Sequence, residues 1–165
     1  MRLYHGSTMA VRTPNITRGR GNTDFGKGFY TTTNYEQAAR WARIKRDRQE
    51  SGKAVVTVYE FDETLLNSPY FNVMHYHGAT KNWLDFVVNN RRNSVPQSYD
   101  IVMGPVANDS LYATITMYEK GNLSAEAAII QLHTHVLFDQ LSFHSKEAVK
   151  TLKFIEVMDA SETED

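Results

Sequence analysis

The stretch Asp24-Phe25-Gly26-Lys27-Gly28-Phe29-Tyr30-Thr31-Thr32-Thr33-Asn34-Tyr35-Glu36-Gln37 runs from a glycine turn through an aromatic and β-branched segment into a helix start. Gly28 to Thr33 reads as a short strand. Asn34 with Gln37 three residues later has the form of a capping box. Ala38, Ala39, Trp41, Ala42 and Lys45 carry the helix on toward Gly52, a C-terminal stop.

Upstream, Arg2 to His5 reads as an opening strand, followed by a long basic, glycine-rich loop from Ser7 to Gly26. A loop of that length inside a compact domain is a candidate for covering a ligand. Downstream, strands are expected at Ala54 to Phe61, Tyr99 to Met103, Val136 to His144 and Lys153 to Val157, with an irregular stretch through Pro69, His75 and His77. Helices are expected after the Thr80 cap to near Asn93, from Asp109 to Lys120, from Ala125 to His133, and briefly after Ser145. Strands and helices mix without regular alternation, which predicts an α+β domain over residues 1–158 followed by a frayed acidic tail, 159–165.

The chain has 165 residues, 41% of them hydrophobic and 22% charged, enough for one enclosed core. Eighteen Lys plus Arg against nineteen Asp plus Glu leave a formal charge of -1. This gives no strong signal for nucleic acid and no general attraction to a membrane. With no cysteine there is neither a disulfide framework nor a thiolate nucleophile. No run has the ~20 apolar residues of a membrane span, and Met1 to His5 leads into no signal-peptide core. A cytoplasmic protein is expected. The pairs His75/His77 and His133/His135 lie in dissimilar contexts without thiolates, and no metal is expected.

Gly21 to Lys27 has the spacing of a phosphate loop, but Gly28 follows where a hydroxyl is needed to hold magnesium, and a strand follows where a helix is needed. Taken instead with Leu3-Tyr4-His5-Gly6-Ser7, the Phe25 to Tyr30 turn resembles the NAD-binding signature of the ADP-ribosyltransferase superfamily, in its diphtheria-toxin and poly(ADP-ribose) polymerase branch. The chain is also similar to an uncharacterised bacterial family of that superfold carrying the phrases DFGxGFYTT and YDIVxGPVAND, present here at Asp24 to Thr32 and Tyr99 to Asp109.

The resemblance implies a compact fold of two small packed β-sheets with flanking helices, and NAD as substrate with no metal. It implies that His5 meets a ribose hydroxyl and that Gly6 and Ser7 pair with the nicotinamide amide. Tyr30 stacks on the nicotinamide ring, and Trp41, eleven residues on, covers the other face. Gly28, Phe29 and Thr31 belong to the expected NAD-binding set, and Arg18 and Arg20, with Arg12, suit the pyrophosphate. Gln140 takes the position of the family glutamate, so His5, Tyr30 and Gln140 are the expected catalytic set. An amide lacks the charge that meets the developing cation, and a replacement carboxylate is sought at Asp24, Asp109 or Asp139.

The activity implied is mono-ADP-ribosylation of a macromolecular acceptor or NAD cleavage. A bacterial toxin or effector with a small antitoxin partner is a further extension. The alternative is a catalytically weak or inactive NAD or ADP-ribose binder of the same fold. Transfer of an RNA phosphate onto NAD is disfavoured by the near-neutral net charge, since such an enzyme needs a substantial basic surface for RNA.

Overall fold

The computed structural model describes residues 1–19, 22–93, 96–107, 109–135 and 137–162; side chains at 18, 109 and 110 also lie outside the description. The described residues form one seven-stranded mixed sheet and five α-helices. The strands are β1 (Arg2–Ser7), β2 (Phe29–Thr32), β3 (Val55–Glu60), β4 (Val73–His75), β5 (Ile101–Pro105), β6 (Asp139–Phe143) and β7 (Lys153–Asp159). The helices are α1 (Tyr35–Gln49), α2 (Lys81–Arg92), α3 (Asp109–Glu119), α4 (Ala125–Leu132) and α5 (Lys146–Val149), with 3-10 turns at Ile16–Arg18 and Glu63–Asn67.

The strand order is β4-β5-β6-β2-β1-β3-β7, parallel only between β4 and β5. The two separate sheets expected from the sequence are therefore one hydrogen-bonded sheet with a narrow seam. β1 and β2 pair in register only at Tyr4 and Thr32, whereas β1 pairs with β3 from Arg2 to Ser7 and β2 with β6 from Phe29 to Thr32.

Period-2 alternation sorts the side chains onto two faces. One face turns Val56 and Val58 toward Ala38, Ala39 and Ala42 of α1. Farther along, the same face turns Val102 toward Trp83, Leu84 and Val87 of α2 and toward Leu111 and Leu132 of α3 and α4. The opposite face carries Leu3, Phe29, Tyr59, Ile101, Leu141 and Phe143, closed by Ala148, Val149 and Leu152. The first part of the long loop straps across this second face. The Val11 N–H donates to the Thr57 hydroxyl at 3.1 Å, the Tyr59 hydroxyl donates to the Val11 carbonyl, and the Arg12 guanidinium lies 4.7 Å from the Phe154 ring centre.

The helix starts follow their caps. The side chains of Asn34, Thr80, Ser124 and Ser145 accept from Gln37, Trp83, Ala127 and Ala148 N–H groups. Helix α1 stops before Gly52, because Glu50 takes the left-handed conformation at φ 52°. Residues 159–162 of the tail are hydrogen-bonded to the sheet and α1: Asp159 pairs with Val55, the Ala160 N–H reaches the Ala54 carbonyl at 2.8 Å, and Arg43 and Arg46 donate to the carbonyls of residues 160 to 162. Residues 163–165 lie outside the description. No helix among the described residues is long and apolar enough to cross a membrane.

Candidate functional site

Alternation along β1, β2 and β6 divides the expected site residues between the two faces of the sheet. Tyr30 and Gln140 point to the face that carries α1 and α2, while His5, Phe29 and Thr31 point to the other. The His5 imidazole stacks on Phe29, with ring centres 4.3 Å apart. Its Nδ1–H donates to the Tyr30 carbonyl at 2.7 Å, which leaves Nε2 as the acceptor. Burial, followed by the charge of Lys45, lowers the His5 pKa to about 4. The ring is neutral at physiological pH.

Gly6 and Gly28 are needed for packing. A Cβ on Gly6 would lie 1.9 Å from the Ala38 carbonyl oxygen of α1, so the close backbone approach expected of a ligand is made here by a helix. The Gly6 carbonyl accepts from Lys45 Nζ at 2.8 Å. A Cβ on Gly28 would meet the Phe143 carbonyl and the His144 ring at 2.6 Å. Phe29 is 6% exposed and belongs to the core. Thr31 is wholly buried and donates to the Leu141 carbonyl at 2.9 Å. Ser7 pairs with Val55 at the end of β1. The Arg18 side chain and Arg20 lie outside the described residues, as does the Asp109 side chain.

The Tyr30 ring turns back over the glycine turn. Its hydroxyl donates to the Gly26 carbonyl at 2.5 Å, accepts from the Phe25 N–H at 3.0 Å and meets the Thr23 hydroxyl at 2.9 Å. Burial raises its pKa. The left-handed φ of 87° at Gly26 permits this fold-back. The same turn delivers Asp24 to Gln140. Asp24 Oδ1 accepts Arg91 Nε at 3.0 Å and Nη2 at 2.7 Å, while Oδ2 accepts Gln140 Nε2 at 3.2 Å and the Ala107 N–H at 3.3 Å. The Arg91 guanidinium lies over the Tyr112 ring, 4.4 Å from its centre.

Beside this cluster opens a cavity of about 320 Å³ along the flank of α1. Trp41, Arg40 and Arg48 line it from the helix, and Phe138 and Ala107 from the opposite wall. Ala107 thus borders the cavity and donates to Asp24. Trp41 lines this space and Tyr30 does not, so the expected pair of aromatic faces is not assembled around one slot.

Of Asp24 and Asp139, the two alternative carboxylates among the described side chains, Asp24 is the one brought to Gln140. Asp139 points to the other face, where burial raises its pKa against the opposing charges of His75 and His77. Those two imidazoles lie 3.9 Å apart, centre to centre. Among the described residues no group of three or more His, Asp or Glu side chains is arranged to hold a metal ion. Sequence reasoning missed Arg91, Tyr112 and Phe138. Arg91 reads as an ordinary basic residue in the last turn of a helix, and the contact it makes is with a residue 67 positions away.

The profile of the DUF3990 family, described as a protein of unknown function, matches residues 1–154. The chain belongs to this family. Nothing among the curated proteins or the solved structures matches it.

Proposed function

We propose that this member of the DUF3990 family is an ADP-ribosyltransferase-like protein that takes NAD in the crevice between α1 and the β5 and β6 ends. The observation that carries the reading is the Asp24 carboxylate 3.2 Å from the Gln140 amide, beside a cavity walled by Trp41. The position where the resembled enzymes carry a glutamate is here an amide with a carboxylate from another segment behind it.

The cavity chemistry supports a nucleotide. Its volume falls at the small end of ligand sites. Trp41 and Phe138 offer aromatic faces, worth ~0.5–2 kcal/mol each against a cationic ring. Arg40 and Arg48 suit phosphate oxygens.

In the proposed reaction the bond from ribose C1′ to the nicotinamide nitrogen breaks, and its electron pair leaves with neutral nicotinamide. A nucleophile on a macromolecule, or water, forms the new bond to C1′ and loses its proton to solvent. Gln140 accepts a hydrogen bond from the ribose.

A second reading, a binder of NAD or ADP-ribose without turnover, draws on the Arg91 pairing that offsets the Asp24 charge. Incubation with NAD labelled in the nicotinamide ring separates the two. Release of labelled nicotinamide, lost in Trp41→Ala, is the expected result; a rise in melting temperature without release selects the binder. Neither release nor a thermal shift would overturn both.

A further inference from the structure

The geometry points to Asp24 as a positioning residue that orients the Gln140 side-chain amide and presents its Oε1 as the acceptor for a ligand hydroxyl. The inference rests on the NAD reading above for the identity of the ligand, but not for the orientation itself.

An ionised carboxylate only accepts hydrogen bonds, so the end of Gln140 that faces Asp24 must be Nε2. Oε1 then points away from Asp24. Among the described residues no buried side-chain oxygen or nitrogen lacks a partner, and Gln140 makes its one side-chain hydrogen bond through Nε2. Oε1 is therefore not sealed away, and the little of this 2% exposed residue that is open includes it.

Asp24 has no such freedom. Its two oxygens already receive four donors, two from Arg91, one from Gln140 and one from Ala107, which fills the acceptor sites of a carboxylate. A ligand hydroxyl that went to Asp24 would have to displace one of them. The carboxylate acts instead through the amide: a negative acceptor on Nε2–H draws electron density toward Oε1, strengthening it on the order of 10–30% per bond. Arg91, stacked over Tyr112, holds the carboxylate in line. The chain thus has two residues at the place where one glutamate would combine hydrogen bonding with charge.

The test is a reciprocal exchange read by NAD titration and by the Gln140 side-chain amide resonances of the full chain. In the wild type one amide proton is shifted by the carboxylate and exchanges slowly with solvent. Asp24→Asn is expected to move those resonances and weaken NAD binding at least tenfold. Gln140→Glu, which sets two carboxylates against each other, is expected to weaken it similarly. The double variant Asp24→Asn with Gln140→Glu restores one amide and one carboxylate in reversed order, and is expected to bind within about threefold of wild type. If Asp24→Asn alone does not fold, Asp24→Asn with Arg91→Gln, which leaves no unpaired guanidinium, takes its place. Unchanged amide resonances, or tenfold weakening that the double variant fails to rescue, would overturn the inference while leaving the NAD reading in place. A wild type that gives no response to NAD while its amide resonances shift on Asp24→Asn would overturn the NAD reading and keep the orientation.

Discussion

Gly6 shows how one residue is read differently by sequence and by packing. In the phrase Leu3 to Ser7 its lack of a side chain suggests room for a ligand, and in the fold that room is filled by the backbone of α1. All three nearest atoms to an added Cβ are backbone atoms of Ala38 and Ala42, the closest at 1.9 Å, so nothing flexible can yield. Gly6→Ala is expected to destabilise the chain by about 3 kcal/mol or more, measured as a fall in the urea midpoint. Gly78→Ala, with nothing within 4 Å of its added Cβ, is expected to stay within about 0.5 kcal/mol.

His5 gives the second prediction at this scale. Burial and Lys45 hold its folded pKa near 4, and burial also lowers those of His144 and His75. The unfolded chain takes up these protons at about pH 6.5. Between those values the unfolded state binds more protons, so stability is complete above about pH 6.5 and declines as pH falls toward 4. His5 alone contributes up to about 3 kcal/mol. Urea midpoints taken from pH 7.5 down to 4 should fall steadily, and His5→Asn should flatten the slope; a flat profile in the wild type would contradict the burial of the neutral ring.

At the scale of elements, what was legible was local. Caps announce themselves within four residues, so Asn34, Thr80 and Ser145 placed three helix starts, and Asn34 Oδ1 does meet the Gln37 N–H at 2.9 Å. Asn34→Ala is expected to cost about 1 kcal/mol, seen in thermal melts, with the other helices unaffected. Val73–His75 is too short to show alternation in the sequence, and it becomes a strand, β4, through its pairing with Ile101 to Met103. Gly52 marks the stop of α1 two residues late, because Glu50 already takes the left-handed conformation that caps the helix. For the candidate site, the sequence brought Asp24 and Gln140 into view separately; which face each strand turns to the helices, and hence the separation of His5 from Tyr30, depends on pairing between segments distant in the chain.

The whole molecule consists of two half-sheets joined at Tyr4 and Thr32, with α1 lying across β1 and β3. Hydrogen exchange is expected to resolve two protected blocks, β4-β5-β6-β2 and β1-β3-β7, with faster exchange at the seam than at the centre of either. A single uniformly protected block would argue against this division.

The strand order also governs when the crevice can exist. β2 completes its pairing with β6, and Asp24 meets Gln140, a partner 116 positions later. A ribosome-bound chain that has emerged only as far as α4 has the glycine turn, Trp41 and Arg91, yet lacks the strand that fastens the turn in place. Any chemistry seated there is withheld from the nascent polypeptide until β6 has been made, and a product truncated before β6 keeps Trp41 and the glycine turn without the strand that pairs with β2.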